Sequence, residues 1–207
     1  MTDHSALLDL VLAGTEVDTV GETILDAALG ELLAYGLRRT SVETVAKSAG
    51  VSRATLYRRF DTKDALVQAV LVRQARRFYA DIAAAVAGLS TVEERLVEGF
   101  VVGVRAARDD ELMNRLLASD PEALLPYLTL NGYAVVAASR DFLVHQGEQV
   151  AGDLQPVGGR DPAGVAEIFI RLAISFTLTP QSCIPLADDD EVRRFARTYL
   201  SVLMRES

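Results

Sequence analysis

Apolar residues recur at intervals of three and four along most of the chain, and no stretch alternates steadily between apolar and polar residues. Near the C-terminus, one such stripe consists of Val165, Ile168, Phe169, Leu172, Ala173 and Phe176, and a second consists of Val192, Phe195, Ala196, Tyr199, Leu200 and Leu203. This spacing gathers apolar side chains on one face of an α-helix, whereas half-buried strands require alternation. The sequence therefore predicts an all-α fold.

The predicted helices cover most of the chain, at 19–35, 41–48, 52–59, 63–87, 91–107, 110–118, 121–146, 162–178 and 188–204. A further short helix at 5–13 is compatible with the pattern. Thr19, Thr40 and Thr91 each stand three residues before a glutamate, which predicts capping boxes at these helix starts. We expect Pro126 to kink the helix at 121–146, because proline removes a helical hydrogen bond.

The composition excludes several classes of protein. Half of the residues are hydrophobic, so we expect a packed core rather than disorder. No apolar run approaches the roughly 18 residues that a membrane-spanning helix needs, and the N-terminus lacks the basic start of a secretory signal. We therefore expect a cytoplasmic protein without a membrane partner.

No catalytic, cofactor or metal site is predicted. The patterns HExxH, GxSxG, GxGxxG and the Walker motif are absent from the sequence. The single cysteine, Cys183, excludes an internal disulfide framework and a cysteine-based zinc site. We interpret it as a small apolar side chain rather than as a reactive thiol. The chain is therefore not expected to be an enzyme.

The net charge of −8 is distributed unevenly along the chain. Residues 36–77 contain ten basic and three acidic residues, a local charge of +7, which leaves −15 for the rest of the chain. Attraction to phosphate depends on the face that is presented and not on the total charge. The acidic total therefore does not exclude nucleic-acid binding, although a run of charge is often only solvated surface.

Residues 40–60, TSVETVAKSAGVSRATLYRRF, contain the parts of a helix-turn-helix unit. Gly50 permits a tight turn, and Ser52 can cap the second helix. The residues predicted to pack the two helices together are Val42, Val45, Ala46, Val51 and Leu56. The opposite face of the second helix then presents Arg53, Thr55, Tyr57, Arg58 and Arg59.

This face suits DNA for physical reasons. An arginine donates two hydrogen bonds to the major-groove edge of guanine, and a threonine methyl can contact a thymine methyl, so Arg53 and Thr55 are predicted to read bases. Tyr57 and Lys63 are natural donors to phosphate. The alternative is that Arg58 and Arg59 only solubilise the surface and that Tyr57 is half-buried packing.

The segment TSVETVAKSAGVSRATLYRRFDTKDALVQAV resembles the DNA-binding region of the TetR family of bacterial transcriptional regulators. The matching parts are the A-x-x-A-G-V-S turn, the T-L-Y-x-x-F recognition helix and the K-x-x-L that follows. The strong similarity covers roughly residues 22–70. Beyond residue 70 only the length and the helical pattern agree.

The resemblance implies an N-terminal three-helix DNA-binding domain and a larger C-terminal helical domain for ligand binding and dimerisation. The predicted boundaries are 1–18 for an N-terminal extension, 19–67 for the DNA-binding domain and 68–207 for the C-terminal domain. By the same resemblance, the predicted phosphate contacts are Thr40, Ser41, Tyr57 and Lys63, the base contacts are Arg53 and Thr55, and Arg58 contacts the DNA backbone. Residues 1–35 contain no Lys or Arg. The grip on phosphate therefore depends more on Arg38, Arg39 and the recognition helix.

The resemblance also implies a homodimer, here through the last two long helices, on a near-palindromic double-stranded operator. A small hydrophobic or amphipathic effector is expected to release a repressor from this site. The candidate effector residues are Phe100, Tyr127, Asn131, Arg140, Phe142 and His145. An activator, and a helical protein-interaction module without DNA binding, remain alternatives.

Overall fold

A computed structural model of the chain describes residues 18–152, 154–155 and 159–204. The helices are α1 (Thr19–Arg39), α2 (Val42–Ser48), α3 (Arg53–Arg59), α4 (Lys63–Val86), α5 (Val92–Asp109), α6 (Glu111–Ser119), α7 (Pro121–Leu128), α8 (Tyr133–Ala151), α9 (Pro162–Leu178) and α10 (Asp189–Phe195). A π-helical turn (Ala196–Leu200) and a 3₁₀ turn (Ser201–Met204) follow α10. The described residues contain no β-strand, which confirms the all-α prediction. The predicted short helix at 5–13 lies outside the described residues.

The chain forms two compact units. Within the described residues, the first unit consists of 18–77 and 110–126, and the second consists of 78–109 and the residues from 127 to 204. Helix α4 contributes residues to both units. The segment 110–126 therefore packs with the helix-turn-helix, although the sequence predicts it within the C-terminal domain.

The core of the first unit brings α1, the helix-turn-helix, the start of α4 and α6 together. Its fully buried residues include Ile24, Leu25, Leu32, Val45, Leu56, Leu66 and Val70, and Leu112 and Leu116 of α6 join them. The predicted anchors Val42, Val45, Ala46 and Leu56 are buried, and Val51 packs against the same core. The sequence prediction of the contacts between α2 and α3 is therefore confirmed.

The predicted capping boxes have mixed outcomes. The Thr91 hydroxyl accepts a hydrogen bond from the Glu94 amide (3.2 Å), as predicted, but the Glu94 carboxylate accepts from the Thr91 hydroxyl (3.0 Å) rather than from the amide that the box predicts. The prediction at Thr19 is wrong, because Asp18 caps α1 by accepting from the Gly21 amide (2.8 Å). An ionised carboxylate one residue earlier is a strong acceptor for this amide, and it displaces the hydroxyl as the cap.

The predicted single helix at 121–146 is also wrong. Helix α7 ends at Leu128 and α8 begins at Tyr133, while Pro126 lies inside α7 and the chain turns after it. The turn is closed by the Gly132 amide, which donates to the Thr129 carbonyl (3.0 Å). Asn and Gly are both common in turns, and Gly132, with a φ of −74° and a ψ of −3°, is the residue that precedes α8.

The core of the second unit contains a cluster of aromatic rings. Phe100 of α5 meets Phe169 of α9 edge to face, with ring centroids 5.8 Å apart. Phe176 and Phe195 make a similar contact at 5.3 Å. Edge-to-face contacts of this kind stabilise a core beyond the burial of their area. The cluster joins α5, α9 and α10.

A buried arginine also holds the second unit together. Arg95 is 8% exposed, and its guanidinium donates to the carbonyls of Leu89 (3.0 Å), Ala87 (3.2 Å) and Gln146 (3.1 Å). It also donates to the Gln149 side-chain oxygen (3.3 Å). These acceptors are uncharged, and two of them are carbonyls just after α4, where the helix dipole favours a cation. Arg95 thus fixes the turn between α4 and α5 and the second half of α8.

Candidate nucleic-acid interface

The turn between α2 and α3 is a Schellman motif. The Val51 amide donates to the Ala46 carbonyl (2.9 Å), and the Gly50 amide donates to the Lys47 carbonyl (3.1 Å). Gly50 has a φ of 66°, the left-handed conformation that this motif requires. A Cβ at Gly50 would meet no atom within 4 Å, so the need for glycine here is conformational and not steric.

Helix α3 begins at the predicted cap. The Ser52 hydroxyl accepts from the Thr55 amide (3.0 Å) and shares a hydrogen bond with the Thr55 hydroxyl (2.9 Å). Leu56 faces the core, while Arg53, Tyr57 and Arg58 are exposed and Thr55 is half-buried. The structure therefore brings the predicted DNA residues of α3 onto one accessible side of a short, anchored helix.

Arg59 departs from the prediction, because its guanidinium is held within the protein. Its Nε and Nη2 donate to the two carboxylate oxygens of Asp18, at 3.1 and 2.5 Å. The hydrogen bond from Arg59, followed by that from the Gly21 amide, lowers the pKa of Asp18 to about 2. Arg59 thus ties the end of α3 to the start of α1 instead of extending the surface that Arg53 and Arg58 present.

The last turn of α1, residues 36–39, has an unusual backbone, and together with Thr40 and Ser41 it forms the connection to α2, which we call the loop before α2. Gly36 has a φ of 77° and a ψ of 178°, which ends the regular part of α1. The Leu37 amide donates to the Asp120 carboxylate (2.9 Å), and the Arg38 amide also donates to it. The Lys63 ammonium donates to the carbonyls of Leu37 (2.8 Å) and Arg38 (3.3 Å). Two charged side chains from elsewhere in the unit therefore hold this loop.

Thr40 and Ser41 lie where this loop meets α2. Thr40 is 4% exposed, and its hydroxyl donates to the Gly36 carbonyl (2.7 Å), so the predicted capping box with Glu43 is wrong. Ser41 precedes α2 and makes no side-chain capping bond. The Thr40 hydroxyl is drawn into the end of α1 because the distorted turn at Gly36 turns that carbonyl towards it. Ser41 is half-buried and its hydroxyl is not used as a cap.

The basic residues of this unit fall into two groups. Arg73 pairs with Glu22 (3.0 Å) and Asp26 (2.8 Å) of α1, and Arg38 pairs with Glu122. These pairs, together with that of Arg59, neutralise charge inside the unit. The exposed basic residues on and near the helix-turn-helix include Arg39, Lys47, Arg53 and Arg58. The positive charge that can reach a phosphate is therefore smaller than the sequence total suggests.

The predicted effector residues differ in their exposure to solvent. Phe100 and Phe142 are buried, and Phe142 contacts the ring of Tyr79 with centroids 4.8 Å apart. Arg140 is half-buried and pairs with Asp141 (2.7 Å), while Tyr127, Asn131 and His145 are exposed. The pKa of Arg140 is raised, mainly by its hydrogen bond to Asp141.

A cavity of about 360 Å³ lies elsewhere in the second unit. Its wall is mostly apolar and includes Leu96, Leu143, Val165, Ala166 and Leu203, with Glu93, Gln155 and Arg160 as polar members. Arg160 donates from Nε to the Leu203 carbonyl (2.9 Å) and so helps to hold the 3₁₀ turn that forms one wall. None of the six predicted effector residues lines this cavity.

The described residues contain neither a membrane-spanning helix nor a cluster of metal-ligating side chains. Among the described residues, no helix has the length and apolar character needed to cross a membrane. Within the same part of the chain, no group of three or more His, Cys, Asp and Glu side chains is arranged to hold a metal ion.

Two curated relatives resemble part of this chain. An uncharacterized HTH-type transcriptional regulator of Mycobacterium tuberculosis, Rv1255c, is 33% identical over 99 residues, which is 48% of this chain and 49% of that protein. The regulator YvkB of Bacillus subtilis is 46% identical over 48 residues, covering 23% of this chain and 25% of that protein. The chain thus matches about half or less of the length of these relatives.

Solved structures share the fold over nearly the whole chain. The TetR family repressor AlkX from Dietzia sp. strain DQ12-45-1b superposes with a TM-score of 0.60 at 23% identity, covering 87% of this chain and 97% of that one. The fatty acid degradation regulator FadR from Bacillus halodurans gives 0.58 at 17% identity, covering 87% and 96%. At these identities the similarity establishes the fold.

Two family models match the chain in sequence. Residues 24–70 match the model of bacterial regulatory proteins of the tetR family, which spans most of α1, the helix-turn-helix and the start of α4. Residues 92–198 match the model of the bacterial tetracyclin repressor C-terminal domain. Together with the exposed, anchored recognition helix, these matches show that the chain belongs to the TetR family of bacterial transcriptional regulators.

Proposed function

We propose that the protein is a dimeric DNA-binding repressor, acting in the cytoplasm on a near-palindromic operator. The observation that carries this proposal is the face of α3, on which Arg53, Tyr57 and Arg58 are exposed while Leu56 anchors the helix. A short helix held in this way can enter the major groove with its N-terminal residues against base edges. Arg53 is the first residue of α3, so it is placed to read a base.

The phosphate contacts surround this helix. Tyr57 and Arg58 lie on the same helix, and Ser41 lies at the start of α2. Thr40 and Lys63 take part through the loop that they hold, since the Thr40 hydroxyl and the Lys63 ammonium already donate to carbonyls in that loop. Such contacts fix register and orientation, while Arg53 and Thr55 supply sequence preference.

A homodimer is favoured by apolar side chains near the C-terminus. Ile168 of α9 is 43% exposed, and Tyr199 and Val202, which follow α10, are 62% and 49% exposed. Large apolar side chains left exposed on these helices favour an interaction surface there. If two chains pair through α9 and through α10 with the two turns that follow it, a twofold axis relates them. The two recognition helices would then lie about 34 Å apart, one turn of DNA.

The effector is proposed to be a small, mostly apolar molecule. The cavity of about 360 Å³ falls within the size range of ligand sites, and its wall is mostly apolar with a few polar members. This cavity is a better supported location than the six residues chosen from sequence, because two of those are buried in the core and three are exposed. A ligand acts only if it binds the DNA-incompetent dimer more tightly than the competent one.

The test is selection of bound sequences from a random duplex pool by the purified protein. A near-palindromic winner, bound by two chains with a steep salt dependence, would support the regulator and its dimer. An activator would give the same result, and a transcription assay with the selected site separates it from a repressor. Failure to enrich any sequence at low salt, with the folded state verified, would favour the protein-interaction module instead.

Arg53→Ala is expected to weaken binding to the selected operator by about 1–3 kcal/mol, with little effect on random-sequence duplex, if Arg53 reads a guanine. Tyr57→Phe is the matched comparison, because losing a phosphate contact weakens binding to both duplexes evenly. Fluorescence anisotropy on the two duplexes measures both effects. An equal loss on both duplexes for Arg53→Ala would remove its base-reading role.

Ala166→Leu is expected to reduce binding of the uncharged fluorophore N-phenylnaphthylamine, because Ala166 is buried in the cavity wall and leucine extends into the space. Ala85→Leu makes the same change at an exposed position of α4 and should leave fluorophore binding unchanged. The fluorescence increase on titration measures both variants. Equal binding by the wild type and the Ala166 variant would place the apolar site elsewhere.

A further inference from the structure

We propose that Asp120 is a positioning residue for DNA binding, because its buried carboxylate sets the shape of the loop that leads into the helix-turn-helix. This inference rests on the proposed DNA-binding function. Asp120 stands between α6 and α7, sixty residues after Phe60, the last residue of the helix-turn-helix. It nevertheless belongs to the same compact unit, since residues 110–126 pack with residues 18–77.

The Asp120 carboxylate is buried and accepts several hydrogen bonds. Asp120 is 2% exposed, and its Oδ2 accepts from the Leu37 amide (2.9 Å) and from the Ser119 hydroxyl (2.7 Å). The Arg38 amide adds a further donor. These hydrogen bonds, that from Ser119 first, lower the pKa of Asp120, so the group is ionised at neutral pH. A buried carboxylate with this set of donors is a fixed anchor.

The backbone amides of Leu37 and Arg38 both donate to the Asp120 carboxylate. A loop amide that is buried without a partner is costly, so the chain folds to place the amides of Leu37 and Arg38 on one acceptor. Gly36 allows this conformation through its positive φ. A Cβ there would lie 2.7 Å from Asp120 Oδ2, which indicates how closely the two segments approach.

The same loop is also held by Lys63, a predicted phosphate contact. The carbonyls of Leu37 and Arg38 accept from Lys63, so the loop is held by an anion through its amides and by a cation through its carbonyls. Arg38, Arg39, Thr40 and Ser41 follow in this loop and lead into α2. The direction in which their side chains and amides face therefore depends on Asp120, although Asp120 itself need not touch DNA.

The neighbouring Glu122 supplies a matched comparison. Both acids lie near the Arg38 guanidinium, with Asp120 Oδ1 3.7 Å from its Nε and Glu122 paired with its Nη2. Glu122 is largely exposed and Asp120 is not. If only the charge near Arg38 mattered, neutralising either acid would free Arg38 for phosphate and strengthen DNA binding. If Asp120 shapes the loop, the two changes have opposite effects.

The experiment compares Asp120→Asn and Glu122→Gln in the full chain. Binding is measured on the selected operator and on random-sequence duplex over a range of salt concentrations. Amide hydrogen exchange at Leu37 and Arg38 reports the loop directly, and thermal unfolding sets a working temperature at which each variant is folded. Asparagine keeps the size of the side chain but replaces one acceptor oxygen with a donor that faces other donors.

Asp120→Asn is expected to weaken binding to both duplexes by about tenfold or more, because a hydrogen-bonded charged group is lost from the loop. The salt slope should fall by about one for each phosphate contact that is lost, and the Leu37 and Arg38 amides should exchange faster. Glu122→Gln should strengthen binding by up to about fivefold, as expected when an exposed ion pair no longer competes with phosphate.

Ser119→Ala keeps the Asp120 charge but removes one of its donors, and it decides the matter if Asp120→Asn does not fold. Ser119→Ala should weaken binding to both duplexes, by less than Asp120→Asn does. Unchanged binding, salt slope and exchange in Asp120→Asn, or stronger binding in both acid variants, would overturn the positioning role. A wild-type chain that binds no duplex would instead remove the proposed function, and the exchange rates would still test the anchor.

Discussion

Gly36→Ala is expected to lower the free energy of unfolding of the first unit by about 2–6 kcal/mol. An L-residue at a φ of 77° and a ψ of 178° is strained, which costs roughly 1–3 kcal/mol. The added Cβ would also lie 2.5 Å from Ser119 Oγ and 2.7 Å from Asp120 Oδ2. Relieving these contacts moves the Asp120 carboxylate away from the amides that donate hydrogen bonds to it. The loss of these hydrogen bonds costs about 1–3 kcal/mol more, the penalty of leaving buried polar groups unsatisfied.

Urea unfolding followed by circular dichroism measures this loss, fitted for each unit if two transitions are seen. Gly50→Ala is the matched control, because Gly50 also has a positive φ but has open space around the position of a Cβ. Its expected cost is about 1–2 kcal/mol, from the left-handed conformation alone. Equal costs for the two variants would mean that the close approach at Ser119 and Asp120 contributes nothing.

Arg95→Ala is expected to destabilise the second unit by about 3–5 kcal/mol, the range for truncating a large buried side chain that also leaves buried acceptors unsatisfied. The guanidinium makes four hydrogen bonds to the oxygens of Leu89, Ala87, Gln146 and Gln149. Removing it leaves carbonyls after α4 and in α8 without their donor and opens a cavity where the side chain lay. Water reaches this position poorly, since Arg95 is 8% exposed.

Two further variants separate the loss of the Arg95 hydrogen bonds from the loss of its charge and from the effect of removing an exposed arginine. Arg95→Lys keeps the charge, but a single ammonium cannot reach donors spread over the fork of a guanidinium, so we expect about half of the loss. Arg171→Ala removes an exposed partner of Glu167 on α9 and should cost less than about 0.5 kcal/mol. A loss at Arg95 as small as that at Arg171 would show that water replaces the guanidinium.

The helix-turn-helix could be predicted because its determinants are local. Gly50, Ser52 and Leu56 act within seven residues of one another, and each is constrained by the conformation of its own turn or helix. The same holds for Thr91, whose hydroxyl accepts from the Glu94 amide as predicted. Short-range patterns of this kind leave few alternatives for the backbone.

Long-range partners could not be predicted in the same way. Arg59 appeared on the exposed face of α3, but Asp18, 41 residues earlier, holds its guanidinium. Thr40 matched a capping pattern, but the Gly36 carbonyl receives its hydroxyl because of the turn that Asp120 stabilises. In both cases an ion pair or a backbone distortion outside the local pattern decides what the side chain does.

The effector residues illustrate a second limit. Helical spacing identifies apolar residues that leave solvent, but it does not tell which of them face a cavity and which face another ring. Phe100 and Phe142 are predicted effector residues because they lie on the middle helices, and their rings pack against those of Phe169 and Tyr79. The cavity is instead lined by smaller side chains such as Ala166 and Val165, whose sequence signal is weak.

The sequence by itself determined the all-α fold, the helix-turn-helix and the family, because periodicity and turn chemistry are properties of neighbouring residues. The tertiary structure alone decided that residues 110–126 join the DNA-binding unit and that Asp120 anchors the loop before α2. The physical reason is that a buried carboxylate takes whichever amide donors the packed core brings to it. Those donors lie 83 residues away in the chain, a separation that carries no local pattern.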